Sequence, residues 1–133
     1  MAIVAQTQVT TSPEPWKGVV KTGQHQFITD KPEAFGGHDQ GPAPYDFLLA
    51  GLASCTMITL RMYATHKELN FGEFTVDTTF ISTKEGESIQ RRLKFKQPLS
   101  AEMQAKVLSV CEKTPVTKTL LRSLAIQTEI VNA

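Results

Sequence analysis

The sequence predicts an α+β fold in which antiparallel sheet packs on one long, buried central helix. Three observations carry this. A loop rich in glycine and proline, Gly36 to Pro44, runs straight into the apolar segment Phe47-Leu48-Leu49-Ala50-Gly51-Leu52. Segments rich in threonine and β-branched residues stand before it and after it, separated by turn residues. Two shorter helical patterns follow near the end. Strands and helices segregated in this way favour α+β over an alternating parallel sheet.

Val4 to Thr11 reads as a strand, and Val19 to Thr29 as one or two more, with Pro13, Pro15 and Gly18 between them. Asp30 to Pro44 is a loop with Lys31-Pro32, Gly36-Gly37 and Gly41-Pro42, long enough to suggest a role. Pro44 suits a first helical position, and Asp46 places a negative charge in the first turn. The helix is expected to reach about Lys67. Its first turns are apolar nearly all round, so burial on most sides is expected. Phe74 to Thr83 reads as a strand, Glu85-Gly86-Glu87 as a turn and Ile89 to Phe95 as the return strand. Alternation places Arg91 on the apolar face with Ile89, Leu93 and Phe95, where a guanidinium needs a partner. Ser100 caps a helix carrying Met103, Val107, Leu108 and Cys111 on one stripe. Thr114-Pro115 starts a third helix, to about Arg122, and Leu124 to Val131 reads as a final strand.

With 133 residues and 41% hydrophobic content, the chain is expected to form a single domain, residues 1–133. Its 14 basic and 13 acidic residues leave a formal net charge of +1, which points to neither nucleic acid nor an anionic membrane as partner. The uncharged run from Phe47 to Leu60 is 14 residues, short of the roughly 20 that span a bilayer. No signal-peptide pattern opens the sequence, so a cytoplasmic location is expected. Two cysteines do not make a disulfide framework. Cys55 and Cys111 are either buried small hydrophobes or reactive thiols.

Other residues point to less. His25, His38 and His66 are widely separated and join no Cys/His cluster, so no metal is expected. Asp39 suits an Asx-type turn. The glycine loop lacks the phosphate-binding lysine pattern and the dinucleotide fingerprint, and Ser54 has no nucleophile-elbow context. Trp16 reads as a packing or interface residue. Lys17, Lys21 and Lys31 read as solvated cations.

The stretch Gly-Gly-x-Asp-x-Gly-Pro-x-Pro-Tyr-Asp-x-Leu-Leu-Ala-x-Leu-x-Ser-Cys-Thr, from Gly36 to Thr56, resembles the OsmC/Ohr family. Within it, the chain resembles the branch of small stand-alone OsmC-like proteins. The segments His25-x-Phe27-x-x-Asp30-x-Pro32, Ile89-x-Arg91-x-Leu93-x-Phe95 and Glu112 to Leu120 fit the same pattern. The resemblance implies an intertwined homodimer with active sites at the interface. It implies a thiol-dependent peroxidase that reduces small organic hydroperoxides, holds no cofactor and is reset by an external dithiol reductant. By position, Cys55 matches the family's first, peroxide-attacking cysteine.

The chain departs from the family twice. Thr114 stands where the second cysteine usually precedes Pro-Val, and Thr117 where a histidine often stands. Cys111, three residues upstream, is the candidate resolving thiol. No arginine precedes Arg61, and Tyr45 occupies the place of the glutamate that holds the family's activating arginine. Arg91 is the candidate replacement, with Asp46 or Tyr45 to hold it. Phe47, Met57 and Ile58 are candidates to line a substrate pocket. The alternative function is an OsmC-like protein without peroxidase turnover that binds a small apolar ligand or serves as a thiol sensor.

Overall fold

The computed structural model describes residues 1–131. The chain divides into two compact units, residues 1–48 and residues 49 onward. The expected α+β architecture of antiparallel strands and helices is present.

In the first unit, β1 (Thr7–Thr11), β2 (Gly18–Thr22) and β3 (His25–Thr29) form a three-stranded antiparallel sheet in the order β1-β2-β3. β1 starts three residues later than the sequence suggested. The Val19–Thr29 segment resolves into two strands turning at Gly23, whose φ is +58°. After a single 3-10 turn at Glu33–Phe35, the loop folds back on its own strand. Asp30 N–H and Thr29 Oγ1 both donate to the Pro42 carbonyl, at 3.4 and 2.9 Å. The approach is close enough that a Cβ on Gly37 would overlap the Lys31 carbonyl, and one on Gly41 the Ile28 carbonyl. Glycine is required at both places by backbone proximity.

Helix α1 spans Pro44–His66. Its start follows the sequence: Asp46 Oδ2 accepts from the Ala43 N–H at 2.9 Å, the N3-to-N-cap half of a capping box, with Pro44 at the first helical position. Its 23 residues, with a mean hydropathy of 1.4 over the most apolar window, have the length and composition of a membrane span. Core helices pass the same test. The expectation of burial on most sides is not met within this chain. Only Leu52, Thr56, Leu60 and Ala64, spaced one turn apart, are buried, while Ile58 and Met62 stay exposed. The chain covers one stripe of the helix and leaves the rest open.

In the second unit, β4 (Phe74–Thr83) and β5 (Gly86–Phe95) form a hairpin. Its turn is Lys84–Glu85 rather than Glu85 to Glu87, so β5 begins three residues earlier than expected. Thr83 Oγ1 sets this turn by donating to the Gly86 carbonyl and accepting from the Glu85 N–H. The register pairs Phe74 with Phe95, Val76 with Leu93 and Phe80 with Ile89. Leu60 and Ala64 of α1 meet Phe71, Val107 and Cys111 in the buried core, flanked by Phe74, Leu93 and Phe95. Phe74 and Phe95 stack at 5.0 Å, and Phe71 meets both edge-on.

α2 (Ala101–Cys111) is capped by Ser100, whose Oγ accepts from Met103 N–H at 3.1 Å. Of its expected stripe, Val107 and Cys111 are buried, but Leu108 is 61% exposed. α3 (Pro115–Leu120) starts at the Thr114 cap that the sequence indicated. The strand expected at Leu124 to Val131 is not formed. That segment is irregular and exposed, with Ile126 and Ile130 open to solvent. Apolar alternation makes a strand only where an edge is offered for pairing, and this segment pairs with none of the described strands.

Candidate functional site

The second unit is organised around one guanidinium. Arg91 stands opposite Thr78 on the inward face of the hairpin, and its side chain is 14% exposed. Nη1 donates to Thr56 Oγ1 of α1 at 3.0 Å and to Thr117 Oγ1 of α3 at 2.8 Å. Nη2 donates to the carbonyl of Cys111, the last residue of α2, at 3.0 Å. One side chain of β5 therefore ties three helices together. The α2 carbonyl lies at a helix C-terminus, where the macrodipole offers partial negative charge to a cation. The Glu112 carboxylate lies further off, with Oε1 3.9 Å from Nη2, and its side chain is 71% exposed.

The hydroxyls around Arg91 are ordered in turn. Thr56, fully buried, donates its own proton to the Leu52 carbonyl at 2.7 Å. This leaves its oxygen free to accept from Arg91. Thr114 and Thr117 share a hydrogen bond of 2.6 Å, and Thr117 N–H donates to Thr114 Oγ1 at 3.4 Å. Thr114 is fully buried. The position at which the family usually carries its second cysteine is thus part of a helix cap and a hydroxyl cluster.

The two thiols differ. Both are free. Cys111 is 2% exposed. Burial pushes its thiol pKa up; the Arg91 charge opposes this and Glu112 adds to it. Such a thiol is mostly protonated near neutral pH and is a poor nucleophile. Cys55 is only partly buried, and its Sγ lies 3.9 Å from Thr59 Oγ1, one turn along α1.

Sequence reasoning placed four residues at the site: Cys55, Cys111, Arg91 and Asp46. The structure brings Arg91 to Cys111 and to Thr56, the neighbour of Cys55 in sequence. The Arg91 hydrogen bonds go to Thr56, Thr117 and Cys111, not to Cys55. Asp46 caps its own helix. Thr56 was not singled out; its signal was a polar residue one turn from Leu52 and Leu60 on the apolar stripe. Among the described residues, no group of three or more His, Cys, Asp or Glu could hold a metal ion.

The first unit holds a second buried charge that sequence reasoning passed over. Asp30 is 2% exposed, and accepts from the backbone N–H groups of Lys31, His38 and Gln40 at 2.7, 3.2 and 3.2 Å. Burial raises the pKa of its carboxyl, but these three donors outweigh it and hold the pKa below the usual value. Asp39, the expected Asx-turn residue, has a left-handed conformation with φ +52°, which aspartate tolerates. Trp16 is exposed, likewise left-handed, with Lys31 Nζ 5.3 Å from its ring centre.

Solved structures share this fold at low sequence identity. An OsmC-like protein from Mycoplasma pneumoniae matches with a TM-score of 0.75 and 20% identity, covering 91% of this chain and 89% of that one. An organic hydroperoxide resistance protein OsmC from Legionella pneumophila matches at 0.65 and 17%, covering 90% of each chain. The organic hydroperoxide resistance protein OhrB of Bacillus subtilis matches at 0.61 and 20%, covering 88% and 90%. No curated protein sequence gives a significant match. The family model for OsmC-like proteins matches residues 37–129, from the glycine loop through the last helix and into the irregular segment after it, and the chain belongs to the OsmC-like family.

Proposed function

We propose that this protein is a thiol-dependent peroxidase for small organic hydroperoxides, with Cys55 as the nucleophile. The observation that carries the reading is the contrast between the thiols: Cys55 is partly open, whereas Cys111 is sealed and its pKa is raised. Relatives of the same fold named organic hydroperoxide resistance proteins support the substrate class.

In the proposed cycle the Cys55 thiolate attacks one peroxide oxygen. An S–O bond forms, the O–O bond breaks, and the alkoxide leaves and takes up a proton as the alcohol. The sulfenic acid then condenses with an external thiol, releasing water and forming a mixed disulfide. The reductant's second thiol displaces Cys55 and carries the disulfide away. An external dithiol suits this step better than Cys111, because a resolving thiol must be ionised and exposed to attack. Arg91 acts as a positioning residue, fixing α1 against α2 and α3 through Thr56, Cys111 and Thr117. The cell compartment proposed is the cytoplasm, where such reductants operate.

Two copies are the proposed assembly. The open apolar face of α1 at Ile58 and Met62 and the unpaired segment through Ile126 and Ile130 would each gain cover from a second chain.

One observation favours a second reading, a ligand-binding or thiol-sensing protein without turnover. The buried Thr114 hydroxyl occupies the second cysteine's place and cannot form a disulfide. Steady-state consumption of cumene hydroperoxide with a dithiol reductant separates the two. The peroxidase reading predicts turnover by wild type and Cys111→Ala, and none by Cys55→Ser. Wild-type consumption no faster than that of a free thiol would sink it.

A further inference from the structure

A cavity of about 420 Å³ opens between β5 and α2. That lies within the range of roughly 300–1,000 Å³ typical of small-molecule sites. Leu93, Phe95, Val107 and Leu108 contribute its apolar wall. Among the described residues, Arg91 is the one charged residue that lines it. Gln104, at its edge, is held by a hydrogen bond from Nε2 to the Leu99 carbonyl at 3.1 Å.

The hydrogen-bond balance around Arg91 says what this cavity lacks. A guanidinium has five N–H donors and no acceptor. Three are used, by Thr56, Thr117 and the Cys111 carbonyl. Among the described residues, no hydrogen bond engages Nε–H or the remaining Nη2–H, and Glu112 at 3.9 Å is beyond hydrogen-bond length. The threonines add to the surplus. Thr114 and Thr117 bring two hydroxyl protons, and the bond between them uses one. The nearby Cys111 thiol is kept neutral by burial and supplies no anion. Arg91 therefore keeps two donors that no group among the described residues engages, and its anionic neighbour, Glu112, is exposed and 3.9 Å away. No buried side-chain nitrogen among these residues is left without a partner, so the spare donors are open to a ligand rather than sealed in the core.

We infer that the cavity between β5 and α2 binds a monocarboxylate with an apolar tail, its carboxylate on Arg91 and its tail against Leu93, Phe95, Val107 and Leu108. Arg–carboxylate pairs form two charge-assisted hydrogen bonds, matching the two donors left over. The apolar wall selects the tail, and the spare donors discriminate against a neutral head group. This inference does not rest on the chemistry of Cys55.

Calorimetric titration with octanoate and with octan-1-ol tests it on the full-length protein. Arg91→Met is the direct variant, but it also removes the tie between three helices. Leu108→Glu, at an exposed helix position on the cavity wall, introduces a like charge without touching the core. Wild type and Cys55→Ser are expected to bind octanoate saturably and alike, and octan-1-ol at least about tenfold more weakly. Leu108→Glu, folded by circular dichroism, is expected to lose octanoate affinity by about tenfold or more. Equal affinity for acid and alcohol, undiminished binding by Leu108→Glu, or no saturable binding to wild type would each overturn the inference. Loss of peroxide turnover in Cys55→Ser with octanoate binding intact would separate this site from the proposed peroxidase reaction.

Discussion

Asp30 and Arg91 are both largely buried charges held by neutral dipoles, and the way each is satisfied differs. Asp30 is served locally: its acceptors take N–H groups one, eight and ten residues away, all within the loop it organises. Arg91 is served at long range, by groups 20 to 35 residues away on three separate helices. Asp30 spends its hydrogen-bonding capacity on loop shape, whereas Arg91 keeps two donors in reserve. A locally satisfied charge should fail locally, and a charge satisfied by tertiary partners should fail cooperatively.

The largest expected effect comes from Arg91→Met. It strands Thr56, Thr117 and the Cys111 carbonyl without their donor, and urea denaturation should show a loss of about 3 kcal/mol. A loss under about 1 kcal/mol would mean that the three helices hold without it. Asp30→Asn comes next. An amide presents N–H where the His38 and Gln40 donors point, so exchange protection of those amides should fall while the second unit keeps its own.

The same carboxylate sets a pH signature. Its folded pKa lies below the unfolded value of about 3.9. Its contribution is therefore complete above that value and is lost as pH falls through the folded pKa. The loop amides should become exchange-labile only below about pH 4, and Asp30→Asn should abolish that pH dependence. Loop protection that is unchanged in acid would contradict the role given to Asp30.

Thr114→Val should cost about 1 kcal/mol by removing the α3 cap, measurable as a lower urea midpoint. The smallest effect is expected from Glu112→Gln. As an exposed partner at 3.9 Å, it should change stability by no more than about 0.5 kcal/mol. A larger loss would make Glu112 the counter-ion of Arg91 and erase much of the contrast with Asp30.

The sequence was most legible where a signal acts over a few residues. Pro44 with Asp46, Ser100, and Thr114 with Pro115 each mark a helix start through a side chain and a backbone group three residues apart. The β4–β5 hairpin was legible by alternation, which also turned Arg91 inward. The partners of Arg91 were not, because nothing local links a strand arginine to Thr56 or Thr117. The Asp30 cage was hidden for a related reason: three N–H groups converge only once the Gly37 and Gly41 contacts fold the loop. Leu124 to Val131 carries a strand pattern without a paired edge, and the open face of α1 shows that an apolar segment can exceed what its own chain covers.

In the proposed reaction Cys55, not Cys111, is the thiol that meets peroxide. The most direct measurement is to add one equivalent of cumene hydroperoxide in the presence of dimedone, then digest and locate the adduct by mass spectrometry. The account predicts the sulfenic-acid adduct on the peptide containing Cys55, with Cys111 recovered as a free thiol. An adduct on Cys111, or a Cys55–Cys111 disulfide in place of any adduct, would contradict it.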